Sequence, residues 1–260
     1  MTATSARPVA TPSLSASTWA QIFVRLLAVQ ASWNYELLLG TGIGFALEPA
    51  LRYLPGGRDG EAYRAAMARQ SAYFNAHPYL CAAGVGALAR AELEFAPPMQ
   101  IERFRTALCG PLGSVGDRLV WAGWLPFCSL LALAAFGLGA GPVPVLIIFL
   151  GLYNVGHIGL RVWGLRVGWR HGMRVAAALA NPVLRQGPTY IARAAALLAG
   201  IAIPLALDRI IEPGRALLGG VLLAAVAGAT LLARLHGRIE GWRLALGVLA
   251  AFALYSMVAR

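Results

Sequence analysis

The chain contains no lysine: its 22 basic residues are all arginines, set against 11 acidic residues. Charge of either sign is scarce, at 13% of 260 residues, where soluble domains carry about 25%. With 58% apolar residues and a mean hydropathy of +0.65, the composition excludes an ordinary soluble domain and requires that much of the surface face lipid. The formal charge of +11 does not mark a nucleic-acid binder, because such proteins gather basic and aromatic residues on one soluble face. Here the arginines cluster between apolar runs, which is the pattern the positive-inside rule produces. Cysteine is limited to Cys81, Cys109 and Cys128. This odd set has no CxxC pattern and lies in apolar contexts, so it reads as small packing residues. His77, His157, His171 and His236 lack metal-ligand spacing, and neither a metal nor a cofactor is expected.

What the chain does have is apolar length. Residues 119–140, 143–165, 194–207, 216–233 and 244–258 approach the roughly 20 residues that cross a hydrocarbon core about 30 Å thick. The expected fold is all-α: a polytopic integral membrane protein with an N-terminal amphipathic helix, re-entrant hairpins and about five transmembrane helices. Residues 1–17, rich in Ala, Thr, Ser and Pro, lack the apolar centre of a signal peptide and read as a disordered cytoplasmic tail. Residues 18–260 form one membrane domain, broken or re-entrant over 18–118 and transmembrane helical over 119–260.

In the broken half, residues 19–29 are amphipathic. Residues 37–51, with Gly40, Gly42, Gly44 and Pro49, suit a re-entrant hairpin, and residues 108–115 suit a second. Residues 60–76 read as a polar surface helix ended by Pro78. The arginine-rich stretch 166–193 reads as a cytoplasmic linker, which puts the N-terminus inside and the C-terminus outside.

Four segments keep polar residues that a lipid-facing helix would not: 30–36 (QASWNYE), 74–79 (FNAHPY), 110–118 (GPLGSVGDR) and 153–161 (YNVGHIGLR). A charge at bilayer depth costs about 2.5–3.5 kcal/mol or more on insertion scales, so these segments should face protein, water or substrate. Trp33, Asn34, Tyr35 and Glu36 offer an aromatic face with amide and carboxylate groups, suited to a sugar or equally to an interfacial anchor. Asn75 and His77 precede Pro78 and suit either a backbone cap or a ligand contact. In the third segment Gly110, Gly113 and Gly116 allow a turn or close approach, and Asp117 with Arg118 suggests an ion pair. Asn154, His157 and Arg161 share one helical face, for a transport path or for hydrogen bonding between helices.

These four segments in order, with Trp121 after the glycine-rich stretch and Trp163 closing the fourth, resemble the IID subunit of the mannose, fructose and sorbose type permeases of the phosphoenolpyruvate-dependent sugar phosphotransferase system (PTS). The similarity covers roughly residues 18–190. It implies a subunit of the bacterial cytoplasmic membrane that joins a IIC partner in a hetero-oligomer and translocates a hexose of the mannose class. Soluble IIA and IIB proteins would supply the phosphate, so the chain catalyses nothing on its own. Trp33, Asn34, Glu36, Asn75, His77, Asp117, Asn154, His157 and Arg161 become candidates for substrate binding or the IIC interface, with no catalytic residue and no nucleic-acid partner. The chain departs from the family in its short connection at 207–216 and in Arg118, where many members have Ser. A regulatory or assembly subunit without transport activity is the alternative; a membrane enzyme would need a cluster of acids or metal ligands that the sequence does not offer.

Overall fold

The computed structural model describes residues 13–211 together with Leu223, Val226, Ala227, Thr230 and Arg234. The expected span 244–258 lies outside the described residues, as does 216–233 except for Leu223, Val226, Ala227 and Thr230. Among those described there is no strand; the fold is helical, with two isolated bridges, Asn34 to Leu38 and Leu38 to Phe74.

Five short or medium helices come first: α1 (Ala16–Leu27), α2 (Gly40–Leu51), α3 (Glu61–Ser71), α4 (Cys81–Leu93) and α5 (Pro98–Gly116). A π-helical stretch, Asp117–Trp124, carries α5 without interruption into α6 (Leu125–Gly137). The long α7 (Pro142–His171), the single turn and a half of α8 (Val175–Leu179) and the long α9 (Pro182–Ile211) follow. Among the described residues three helical stretches are long and apolar enough to cross a membrane: Pro98–Gly137, Pro142–Leu179 and Leu184–Ile210. At 1.5 Å per residue the first would be roughly 60 Å long, twice the hydrocarbon thickness. Its charged half, with Glu102, Arg103, Arg105, Asp117 and Arg118, therefore belongs outside the hydrocarbon.

The described residues fall into two compact units, one built from residues up to 125 with 151–192 and the other from residues 126–150 with those from 193 on. In the first, Ile22, Leu26, Ile43, Leu47, Phe74, Leu88, Leu108 and Leu112 are fully or almost fully buried in one core. Helix α1 starts where the Ser15 hydroxyl accepts from the Thr18 amide at 3.1 Å, a cap that satisfies one of four orphan donors. It is amphipathic as expected, burying Thr18, Ile22 and Leu26.

Three sequence expectations are corrected. Residues 37–51 form a turn followed by one helix, α2, rather than a re-entrant hairpin. Its glycines serve close packing instead of a bend: a Cβ on Gly42 would lie 1.9 Å from the Val29 carbonyl oxygen. Residues 108–115 are helical through Pro111, and none of Gly110, Gly113 and Gly116 has a positive φ. The stretch 166–193 is not a linker, since α7 continues to His171 and α9 begins at Pro182.

Helix ends leave carbonyls without intrahelical donors, and arginines meet them here. Arg105 donates to the Gln70, Ala72 and Tyr73 carbonyls at the end of α3. Arg161 reaches Leu26 in the last turn of α1, and Arg90 reaches Trp169 and Arg170 in the last turn of α7. Pro49 has no N–H to offer the Phe45 carbonyl one turn earlier in α2; Arg25 supplies that donor at 2.9 Å. A guanidinium fork can hold several carbonyls together, which an ammonium does less well.

Glu48, buried near the end of α2, binds Arg25, Arg52 and Arg58 at 2.6–2.8 Å. Burial works to raise its carboxyl, but hydrogen bonds from Arg52 and Arg58 and the charges of Arg25 and Arg52 prevail and hold it at about 2. The folded value lies below the unfolded one of about 4.3. The stabilisation is therefore present above that pH and lost as pH falls toward about 2. Glu48→Gln is expected to lower the melting temperature at pH 7 and to flatten the acid limb of the stability curve in that window. A variant acid limb as steep as that of wild type, in paired pH melts, would assign the acid sensitivity to other carboxylates.

Candidate functional site

The loop between α1 and α2 is fixed by its own backbone. The Asn34 side-chain oxygen accepts from the Glu36 and Leu37 amides at 3.0 and 2.8 Å, closing a turn in the usual Asn manner. Leu38 then adopts a left-handed φ of 50°, a conformation costly for a branched side chain and one that tends to mark functional sites. Reciprocal bonds join Leu39 N to Phe74 O and Phe74 N to Leu37 O. They tie this loop to the segment before α4.

Between these two loops and α5 lies a cleft of about 500 Å³. Trp33 comes from the first segment, Asn75 and His77 from the second, and Gly110, Ser114 and Asp117 from the third, with Trp121 in the π-helical stretch. Polar and aromatic groups of three separate sequence segments thus face one space. His77 is 1% exposed, and burial together with the Arg161 charge lowers its pKa to about 4, so the ring is neutral at pH 7. Its Nδ1 accepts from the Tyr79 amide at 3.2 Å, which leaves the proton on Nε2. That Nε2 is buried and has no hydrogen-bond partner among the described residues, an exception that calls for a reason. Gly116 is needed beside it, because a Cβ there would lie 2.2 Å from the His77 Cβ.

The fourth segment stands behind the same loop. Arg161, 2% exposed, donates to the Pro78 carbonyl at 2.8 Å and to His157 Nε2 at 2.9 Å. His157 Nε2 is thereby an acceptor, and Nδ1 carries the proton toward the Asn154 side-chain oxygen at 3.2 Å. Asn154, His157 and Arg161 therefore form one hydrogen-bonded chain on one face of α7. Tyr79 completes the junction: its ring lies 4.7 Å from the Arg161 guanidinium and 4.3 Å from His157, and its hydroxyl meets that of Tyr153 at 2.6 Å. The second, third and fourth segments meet at His77, Pro78 and Tyr79, and the first shares the cleft with them through Gln30 and Trp33.

Other sequence candidates are placed differently. Asn34 and Glu36 are exposed and do not line the cleft; Asn34 is the turn's cap. The expected ion pair between Asp117 and Arg118 does not form, because Arg118 turns back to the Ser114 carbonyl at 3.2 Å and Asp117 faces the cleft. Tyr79, Ser114 and Gln30 take part in the site without having been singled out. Tyr79 carried one signal, its position directly after His77 and Pro78. The Gln70 and Arg105 pair that supports the cleft from below carried none, since the two are 35 residues apart.

A sequence model of the family described as PTS system mannose/fructose/sorbose family IID component matches residues 13–209. The mannose-specific EIID component of Escherichia coli K12 is 27% identical over 172 residues, 64% of this chain and 59% of that protein. The sorbose-specific EIID component of Klebsiella pneumoniae is 28% identical over 172 residues, 64% of this chain and 61% of the relative. The fructose permease IID component of Bacillus subtilis 168 is 30% identical over 169 residues, 62% and 58% of the two chains. The chain thus spans about three fifths of the length of these curated relatives. The fold is shared with a chain of the cryo-EM structure of the mannose transporter ManYZ with microcin E492. That likeness has a TM-score of 0.57 at 20% identity and covers 95% of this chain and 96% of the other. Another solved membrane protein gives a TM-score of 0.63 at 21% identity over 95% and 97% of the two chains.

Proposed function

Because the chain belongs to the IID component family of the mannose/fructose/sorbose phosphotransferase system, we propose that it works with a IIC partner to pass a hexose of the mannose class inward, coupled to phosphorylation by IIA and IIB. The observation that carries this reading is the meeting of three polar segments at His77, Pro78 and Tyr79, beside a cleft that the first segment's Trp33 lines together with Asn75 and Asp117. Such groups can be kept at or near bilayer depth only if something polar covers them, and a IIC subunit or a sugar in transit would do so. The chain brings positioning groups to a transport complex and performs no phosphoryl transfer itself. Its N-terminus and the arginines of residues 166–193 face the cytoplasm of a bacterial cell, following the positive-inside rule.

The test is hexose uptake in cells that carry the cognate IIC, IIA and IIB but lack their own IID. Wild type should restore uptake. Asn154→Ala removes the acceptor that orients His157, and leaving such groups unpaired typically costs about 1–3 kcal/mol, or roughly 5 to 150-fold. Uptake should fall by that factor while the amount of protein in the membrane stays within about twofold. If wild type assembles with IIC but restores no uptake, the chain is the assembly or regulatory subunit instead. If only Asn154→Ala is silent, the Asn154, His157, Arg161 chain is a purely structural link.

A further inference from the structure

From Leu119 to Leu207 the chain contains no Asp or Glu. Within that stretch Arg166, Arg170, Arg174 and Arg185 are all exposed, and none of their guanidinium groups has a hydrogen bond or ion pair among the described residues. Two of them, Arg166 and Arg185, adjoin lining residues of a second cavity of about 490 Å³ between the π-helical stretch, α7 and the first turns of α9. Trp124, Leu160, Trp163, Leu184 and Ile191 are among its almost wholly apolar lining. Arg185 directly follows Leu184, and Arg166 lies one turn beyond Trp163 on α7. Gly159 lies at the open side of the cavity: it is exposed, and an added Cβ would meet no atom within 4 Å.

Water gains little in such a space, since a buried water needs two to four polar partners. In a bilayer the adjoining apolar material is acyl chain. A basic rim around an apolar fissure between spanning helices is the arrangement that holds an acidic headgroup, because the leaflet on the arginine-rich side is anionic. We propose that this cavity takes one acyl chain of an anionic phospholipid, with the lipid phosphate held by Arg185 and the arginines at the end of α7. The cavity does not open into the polar cleft's lining but shares the junction with it, since Tyr79 and His157 stand on its wall; a lipid there acts on the packing of α7 against α9, whichever sugar is carried.

The experiment uses the full chain in neutral detergent, incubated with phosphatidylglycerol or phosphatidylcholine of the same chain length and read by native mass spectrometry for retained lipid. Wild type should retain phosphatidylglycerol well above phosphatidylcholine. Each surface arginine strengthens binding to an anionic lipid about fivefold, so Arg185→Gln should cut phosphatidylglycerol retention about fivefold and leave phosphatidylcholine unchanged. Gly159→Leu grows into the open space and should abolish retention of both lipids. Inorganic phosphate alone should not shift the melting temperature, which separates a lipid from a free anion. Equal retention of the two lipids overturns the proposal, as does a shift with phosphate alone. Unchanged lipid retention in Gly159→Leu with loss of co-purifying IIC gives the cavity to a partner helix and also overturns it. Arg185 is exposed, so that arm stands even where Gly159→Leu fails to accumulate.

Discussion

Arg105→Met is expected to lower the melting temperature of the chain by roughly 10 °C and to reduce its amount in the membrane several-fold. Arg105 is 5% exposed and has no carboxylate beside it. Its guanidinium donates instead to the Gln70 side chain at 3.2 Å and to the carbonyls of Gln70, Ala72 and Tyr73 at 2.6–2.9 Å. It also lies 5.1 Å from the Phe74 ring centroid. Hydrogen bonds to a charged group contribute about 1.5–3 kcal/mol each, and desolvating the cation costs several kcal/mol. Four bonds exceed that cost and leave a net of about 3–5 kcal/mol, some 2–4 °C per kcal/mol in a chain of this size. Arg105→Lys should recover less than half of the loss, because one ammonium does not span acceptors from Gln70 to Tyr73. The cleft should loosen as well, since Tyr73 and Asn75 are among its lining. A melting temperature for Arg105→Met within about 2 °C of wild type would mean that desolvation cancels the bonds.

Gly168→Ala is expected to be comparably severe for a different reason. Helix α4 is built almost entirely of small residues and is buried along nearly its whole length. It crosses α7 with the two backbones in contact. A Cβ on Gly168 would lie 2.0 Å from the Ala83 carbonyl oxygen and 2.9 Å from the Ala87 amide nitrogen, and one on Gly86 would lie 2.3 Å from the Leu165 carbonyl oxygen. No side-chain rotamer relieves a clash with backbone, so the helices must separate. Overpacking of well-packed interiors costs about 1–3 kcal/mol and more where backbone must move. The control is Gly159→Ala on the same helix, whose Cβ meets nothing. There the better helix propensity of alanine should leave stability unchanged or raised by up to about 1 kcal/mol. Thermal melts of the two variants side by side decide the matter: equal, small effects would remove the backbone crossing from the account.

The fourth segment was the most legible part of the site. Asn154, His157 and Arg161 lie three and four residues apart, and helical periodicity alone puts them on one face. The structure links them in that order by hydrogen bonds. The glycine-rich segments were less legible, because glycine and proline signal both turns and close packing. Gly42 and Gly116 turned out to serve contacts with Val29 and His77, residues far from them in the sequence. Asn34 read equally as a sugar contact or as part of an interfacial anchor, and its side-chain oxygen caps a turn, since a short amide competes well for the backbone amides just after it.

Composition and the placement of arginine determined, by themselves, that the chain is helical, membrane-embedded and polar in four segments. Those properties add up residue by residue along the chain, and lipid imposes them locally. Only the tertiary structure decided which carbonyls the arginines would satisfy and which segments would share a cleft. Arg161 meets Leu26 across 135 positions and Pro78 across 83. No local pattern encodes such pairings, because they follow from which helices pack together and which backbone groups that packing leaves without a donor.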